Sequence, residues 1–302
     1  MKKVLSIHFS QSGQLTEIVD NFTSQLTDCE IENQHITPTH PFPFPWTTPV
    51  FFDKMPETVL EKEIELNPIS YQHEQYDLIV LGYQPWFLSP SLPVTALLKD
   101  EKFKAIVKDT PVVTLIGSRN MWLNSQESIK QLIVAAEGKL AGNVALADKA
   151  SNLVGVVTIL HWMLTGQKTK KWGIFPTPGV SDEDIEGVKK FGSLTNSALQ
   201  QNTFDSLQQN IISEGGAPIN TSILFIEGKA KRIFYIWANL ITKKAAQGKR
   251  TFWVNAFKYY LIFVLFVVSP ILLTFYYILV WPFTQKSLKS KKAYFQQVKL
   301  KI

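Results

Sequence analysis

Apolar positions recur along this chain at two alternating spacings. Residues 4–9, 78–83 and 112–117 are short, mostly apolar runs rich in β-branched side chains, the pattern of strands covered on both faces. After the first run, Leu15, Ile18, Val19, Phe22 and Leu26 fall at helical spacing within 14–26. After the third, Ile129, Leu132, Ile133 and Ala136 do the same within 124–137. Residues 30–36 read as a weaker second strand and 143–147 as a fifth. Strand and helix therefore alternate, which predicts an α/β fold built on a doubly wound, five-stranded parallel sheet. A last helix is expected over 181–201, with Ser181 as its cap, Asp184 as capping partner, and Asp182 and Glu183 favouring the positive helix end.

Two segments interrupt that rhythm. An insertion over 37–72 carries six prolines, Pro38, Pro41, Pro43, Pro45, Pro49 and Pro56, interleaved with Phe42, Phe44, Trp46, Phe51 and Phe52. It reads either as a stiff surface loop packing its own aromatics or as a lid over an apolar substrate. Residues 206–222, with Gly215, Gly216 and Pro218, read as a linker that closes a domain of residues 1–205. Beyond it, 223–258 is basic and amphipathic. Ile226, Ala230, Ile233, Phe234, Trp237, Leu240 and Ile241 share one helical face, and Lys231, Arg232 and Asn239 lie largely opposite. That is the layout of a helix resting in a membrane interface, or of one that binds a partner.

The twenty-three residues 259–281 contain no charge, and fifteen are Leu, Ile, Val or Phe. As a helix they cover roughly 34 Å, enough to cross a hydrocarbon layer of about 30 Å. Their transfer outweighs the cost of Ser269, Pro270 and Thr274. Charge divides near this segment: residues 1–225 hold 17 Lys/Arg against 24 Asp/Glu, and residues 226–302 hold 14 against 1. An acidic head fixed to a bilayer by a basic C-terminal part follows. Five Lys/Arg lie within the twenty residues before 259, and six lysines follow 281. The positive-inside comparison is thus nearly a tie. One topology is a simple span with the head inside and the basic tail, 282–302, outside; the other is a shallow hairpin bent at Pro270. The span is favoured, because each hairpin arm would have only about eleven residues.

Since the basic charge lies beside the apolar segment, the expected partners are membrane lipid and a lipophilic small molecule, and nucleic acid is not expected. Cys29 is the only cysteine, which excludes an internal disulfide and a cysteine metal cluster and permits a reducing compartment. His8, Ser10 and Gln11 interrupt the first apolar stretch before a signal-peptide core forms. The head is therefore expected on the cytosolic side of the cytoplasmic membrane. His35, His40 and His73 show no metal-ligand spacing, and no metal is expected. His8 and His161 fall on apolar elements and read as structural.

Directly after the first strand stand Ser10, Gln11, Ser12, Gly13, Gln14, Leu15 and Thr16, then a helix. A hydroxyl-rich turn at a helix N-terminus offers unpaired amides and the positive end of the dipole, which suits a phosphate monoester. An ordinary helix start has the same composition. With this turn, residues 76–87 (Tyr-Asp-Leu-Ile-Val-Leu-Gly-Tyr-Gln-Pro-Trp-Phe) and 113–122 (Val-Thr-Leu-Ile-Gly-Ser-Arg-Asn-Met-Trp) give the chain a set of three motifs. As a set they resemble the flavodoxin-like family, particularly its NAD(P)H-dependent FMN oxidoreductases, over residues 1–201. The segment 90–98 is similar to that family's proline-marked helix start.

The resemblance implies FMN as cofactor, with its phosphate at Ser10, Gln11, Ser12, Gly13, Gln14 and Leu15. Pro85, Trp86 and Phe87 would flank one side of the ring, and Gly117, Ser118, Arg119, Asn120 and Met121 the other. Leu15 stands where the family has Thr or another short residue, so a phosphate contact is either missing or supplied by backbone. The whole chain, insertion and basic end included, is similar to the flavoprotein aromatases of dialkylresorcinol and flexirubin biosynthesis. That likeness implies oxidation of a lipophilic dialkylcyclohexane-1,3-dione made by a partner ketosynthase. Arg119, Asn120 and Tyr83 are then the candidate catalytic residues: Arg119 to polarise an enolate oxygen, Asn120 to bond ring or substrate, Tyr83 to donate a proton. Trp86 and Trp122 read either as ring or alkyl-pocket neighbours or as core. Two other functions use the same loops. One is a membrane-associated quinone reductase with NAD(P)H as a second cofactor, and the other is a membrane-anchored electron carrier or scaffold. A homo-oligomer is compatible with all three.

Overall fold

The computed structural model describes residues 1–300 of the chain, so the last two residues of the basic tail lie outside the described residues. In chain order the elements begin with β1 (Lys2–His8), α1 (Gln14–Thr23), β2 (Cys29–His35), α2 (Thr48–Asp53), α3 (Met55–Val59), β3 (Leu78–Tyr83), β4 (Pro85–Trp86) and β5 (Ser89–Pro90). They continue with α4 (Leu92–Lys99), α5 (Glu101–Val107), β6 (Pro111–Ser118), α6 (Leu123–Ala135), β7 (Lys139–Ala147) and α7 (Asn152–Thr165). The C-terminal third adds α8 (Asp182–Gly187), α9 (Lys189–Gln201), α10 (Leu207–Ser213), α11 (Thr221–Ala245), α12 (Arg250–Phe263), α13 (Ser269–Phe275) and α14 (Trp281–Gln296).

Five parallel strands form the sheet in the order β2-β1-β3-β6-β7. The order reverses at β1 and β3, so the crevice above the carboxyl ends of β1, β3 and β6 is where a doubly wound sheet takes a ligand. Side chains alternate across the pleat. Leu5, Ile7, Ile79, Leu81, Tyr83 and Ile116 pack in one core with α4, α5 and α6, while Val4, Leu78, Val80, Val113 and Leu115 pack in the other with α1, α9 and α10.

The cap expected at Ser181 is present, its hydroxyl accepting from the Asp184 amide at 3.2 Å. The helix it begins is broken at Val188 into α8 and α9. α9 approaches α1 closely at Gly192, where an added Cβ would lie 2.2 Å from the Phe22 carbonyl oxygen. Gly192→Ala should therefore destabilise the head by about 1–3 kcal/mol, read as a lowered melting temperature.

The expected linker needs correction. Within 206–222, α10 packs on β7, with Leu207 and Ile211 buried against Gly142. Two apolar side chains four positions apart suffice to seat one short helix, a signal too small to stand out among glutamines and glycines.

The C-terminal part shows no hairpin at Pro270, and its apolar helix packs against the head. α11 folds back on α12 through a turn at Gly248, and Phe234 and Trp237 meet Phe257 and Tyr260. From Arg250 the helix continues through π-helical turns at Val264–Val268 and Tyr276–Val280 into α14. Residues Arg250–Leu279 are long and apolar enough to cross a membrane. Pro270 sits at the start of α13, where it lacks only an amide that π-helical pairing has already released, so no hairpin bend forms there.

Nor does the tail point away from the head. Tyr276 stacks on Phe225 with centroids 4.6 Å apart. The Tyr294 hydroxyl donates to Glu127 at 2.5 Å, and the Gln296 side chain donates to the Ala217 carbonyl at 2.9 Å. Buried Lys130 pairs with Glu127 at 2.7 Å and lies over the Tyr294 ring. The apolar helix is thus laid along α11 and the head, touching them before, within and after its apolar stretch. Phe263, Phe266, Ile271, Leu272, Phe275 and Ile278 face outward.

Candidate functional site

Three loops meet over the crevice. The first runs from Phe9 to the N-terminus of α1, where Gly13 is exposed, holds φ at +88° and provides no side-chain cap. The leading amides of α1 therefore have no partner within the helix. Gln11 and Gln14 are committed elsewhere. Gln11 donates to the Pro43 carbonyl at 2.9 Å, fixing the insertion, and Gln14 exchanges two bonds with Val180, at 3.0 and 2.9 Å. Leu15 is buried in the core beneath α1 and leaves the N-terminus clear. Thr16 bonds His8 at 3.0 Å, and burial with neighbouring His35 pushes the His8 imidazole down to about 4. Ser10 Oγ is buried without a hydrogen-bond partner, as is Gln84 Nε2 at the end of β3.

The second loop is a two-residue hairpin joining β4 and β5. Phe87 and Leu88 both hold positive φ, 46° and 64°, the conformation of a type I′ turn that normally takes Asn-Gly. Side chains in that region cost about 1 kcal/mol each. Neighbours hold them there. Phe87 packs on Phe51, Phe52 and Phe257, and Lys231 Nζ donates to the Leu88 carbonyl at 3.3 Å and to Ser89 Oγ at 2.6 Å. Lys231 also pairs with Glu61 at 3.3 Å.

The third loop follows β6. Gly117, Ser118 and Arg119 join Gln11, Ser12, Gln14, Leu15, Pro85, Trp86 and Phe87 around a cavity of about 240 Å³. Its remaining wall is apolar, built from Phe44, Trp46 and Phe51 of the insertion and Ile159, Trp162 and Met163 of α7. The insertion therefore covers the crevice while also packing its own rings: Trp86 meets Phe9, Phe42 and Trp46 at centroid distances of 5.1–5.8 Å. Desolvation lowers the Arg119 guanidinium to about 10, against the charges of Asp148 and Glu227, so it stays cationic at neutral pH.

Tyr83 requires correction. It lies on the opposite face of the sheet, fully buried, and its hydroxyl donates to Gln126 at 2.7 Å. Burial holds that phenol protonated well above its ordinary range, and odd–even alternation along β3 is what turns it away from the crevice. Asn120 lies along a separate, open cavity with Ala147, Ser151 and Lys292, and Met121 is not on the crevice wall. Trp122 is core. His161 lies on α7 but off the cavity wall.

The sequence reading missed Asp148, Lys231 and Glu227. Asp148 accepts from the Ala150 and Gly179 amides at 2.8 and 3.1 Å, holding the chain where it re-enters the crevice. Glu227, the sole acid of residues 226–302, is fully buried and accepts from the Asn124 amide at 2.7 Å, at the start of α6. One signal pointed to it: a lone carboxylate in so basic a segment calls for a specific partner. α11 thus grips the second loop through Lys231 and the element after the third through Glu227.

Burial pushes the Glu227 carboxyl from 4.5 up to about 7, against the Asn124 hydrogen bonds and the Lys231 charge. A raised carboxyl binds its proton more tightly docked than undocked. Its contribution is fully present below the unfolded value of 4.5 and is lost as pH rises through about 7. Amide exchange at the start of α6 and in α11, corrected for intrinsic rate, should be slower near pH 5 than near pH 8. Glu227→Gln, which still accepts the Asn124 bond but does not ionise, should flatten that difference.

The strand order and the loops at its carboxyl edge define a flavodoxin-like fold. No protein-family model matches the chain, and no curated protein matches it. Among solved structures it is similar to a flavoprotein in complex with FMN from Lactobacillus acidophilus NCFM, with 20% identity over 48% of this chain and 93% of that one and a TM-score of 0.37. It is similar also to a flavodoxin from the domain Archaea (10% identity, 66% and 99% covered, TM-score 0.35) and to a flavone reductase (12%, 66% and 64%, TM-score 0.36).

Proposed function

We propose that the protein is an FMN-dependent oxidoreductase acting on a lipophilic substrate at a membrane. The observation that carries this reading is the single cavity where the three loops converge against an aromatic and aliphatic wall. The residues suit the cofactor. The uncapped N-terminus of α1 would hold the phosphate, with Ser12 beside it, while the unpartnered Ser10 lines a neighbouring cavity with His8 and Thr16. Trp86 and Phe87 would flank the ring on one side and Ser118 and Arg119 on the other, within reach of the unpartnered Gln84 amide. The cavity is below the roughly 300 Å³ at which sites for larger ligands begin. Binding therefore calls for outward movement of the insertion, which Gln11 tethers only through backbone carbonyls.

On the likeness of the whole chain, the reaction we propose is aromatisation of a dialkylcyclohexane-1,3-dione to a dialkylresorcinol, with a ketosynthase as the upstream partner. FMN, when bound, supplies the two-electron oxidant. The substrate loses one hydrogen with its electron pair and a second as a proton. Arg119, cationic and desolvated, would stabilise the enolate oxygen that develops as the proton leaves. Phe44, Trp46 and Phe51 would exclude water and receive the alkyl chains. A carrier needs an open ring edge for its protein partner, and the covered crevice favours an enzyme.

The test is the visible spectrum of the detergent-solubilised protein under anaerobic titration. Bleaching of the flavin bands by the dione alone is the expected result. Bleaching only by NAD(P)H, with recovery on adding quinone, would replace this reaction with quinone reduction. A colourless protein that takes up no added FMN would end every redox reading.

A further inference from the structure

The loop between α7 and α8 carries two of the most exposed large apolar side chains of the head, Trp172 at 75% and Ile174 at 80%. They are held out by local geometry. Trp172 and Gly173 take positive φ, 54° and 73°, and this tight tip leaves Trp172 against Phe175 alone among ring partners, with Lys171 Nζ 4.7 Å from its indole. A non-glycine residue in that conformation is strained, and displaying a bare indole adds the loss of its burial. Lys170 and Lys171 precede the indole, while Lys168 is tied to Asp182 at 3.1 Å. An indole and an aliphatic side chain beside Lys170 and Lys171 match the headgroup–acyl boundary of a bilayer, where Trp and Lys anchor.

Position gives this tip its meaning. Both stems of its loop line the crevice: Trp162 and Met163 before it, Gly179 after it. The wall also contains Phe87, which packs on Phe257 of α12 at the start of the apolar helix, and Phe51, which packs on Phe87. The cavity wall is thus connected both to the stems of the exposed tip and to the start of the apolar helix, two elements far apart in sequence.

We infer that the 168–175 loop is a second bilayer-contacting element that inserts Trp172 and Ile174 at the interface and holds the rim of the cavity against lipid. The inference rests on the proposed membrane seat of the C-terminal helix. A long-chain substrate then passes from the acyl layer to the cavity between the tip and the insertion, without crossing water.

The test uses the full chain with Cys29→Ser, one added cysteine carrying an NBD fluorophore, and phosphatidylcholine–phosphatidylglycerol vesicles containing acyl-chain nitroxide lipid. Ile174 and Phe266 are the two labelled positions. Both labels should shift to the blue, be quenched by the nitroxide and resist aqueous iodide. Adding Trp172→Glu should reduce lipid quenching at 174 several-fold and leave it unchanged at 266. A label at 174 that iodide reaches and the nitroxide does not, with 266 still lipid-quenched, would overturn the second contact while sparing the anchor. Water exposure at both positions would remove the membrane seat and this inference with it.

Discussion

Gly13→Asp is expected to lower FMN affinity by roughly two orders of magnitude or more while leaving the protein folded and membrane-bound. An added Cβ meets nothing within 4 Å, so the change is not steric. The positive φ adds about 1 kcal/mol of strain, which a carboxylate capping the bare amides of α1 largely offsets. A phosphate dianion, by contrast, would find its donors occupied and a like charge in its place. Flavin content after gel filtration, titration calorimetry with FMN and a melting curve separate the two effects. Unchanged FMN affinity would show that the phosphate does not sit at α1, and the proposed redox chemistry would lose its cofactor site.

Ending the chain before residue 223 should have an effect of similar size, and not the one that an independent head of residues 1–205 suggests. α11 and α12 cover Phe52, Met55 and Val59 through Ala238, Ile241, Val254 and Phe257. Re-exposing such side chains costs about 1.5–3 kcal/mol each, together a large part of a typical domain's stability. Truncation also removes Lys231 from the strained Phe87–Leu88 turn and Glu227 from the Asn124 amide. The shortened chain should aggregate or elute as a broad species with little bound FMN. A monodisperse truncated protein with full FMN affinity would show that the crevice closes without α11. Arg250 reinforces this seam, reaching Asp53 at 2.6 Å and Glu57 at 2.8 Å.

The sheet was legible because its central strands are buried on both faces, so 78–83 and 112–117 are nearly continuous apolar runs. The loops after β3 and β6 were legible as crevice loops, since they follow strands whose ends are clear. Tyr83 was misread because one residue of pleat decides which face a side chain joins. α11 was misread through its lysine. Helical spacing set Lys231 opposite the apolar stripe, yet the burial pattern runs through Leu224, Glu227, Phe234, Ala238 and Ile241, and Ile233 and Ile236 face outward. Hydropathy averages over a stripe and is blind to a charge whose acceptors, Ser89 and Leu88, lie well over a hundred positions away. In the same way, apolar length says nothing of Tyr294 meeting Glu127.

Those contacts fasten the apolar helix to α11 and the head before, within and after its apolar stretch, which makes it a bar laid along them and not a free stake. Seated in a membrane as proposed, a bar of that kind would spread headgroups on one side, in one monolayer, without displacing lipid on the other. Such asymmetry works as a wedge, so vesicle binding should strengthen as diameter falls and outer-leaflet packing loosens. Substrate and product would then be exchanged with that monolayer alone, and the rate at which lipids flip between leaflets would limit how much of the membrane the protein can serve.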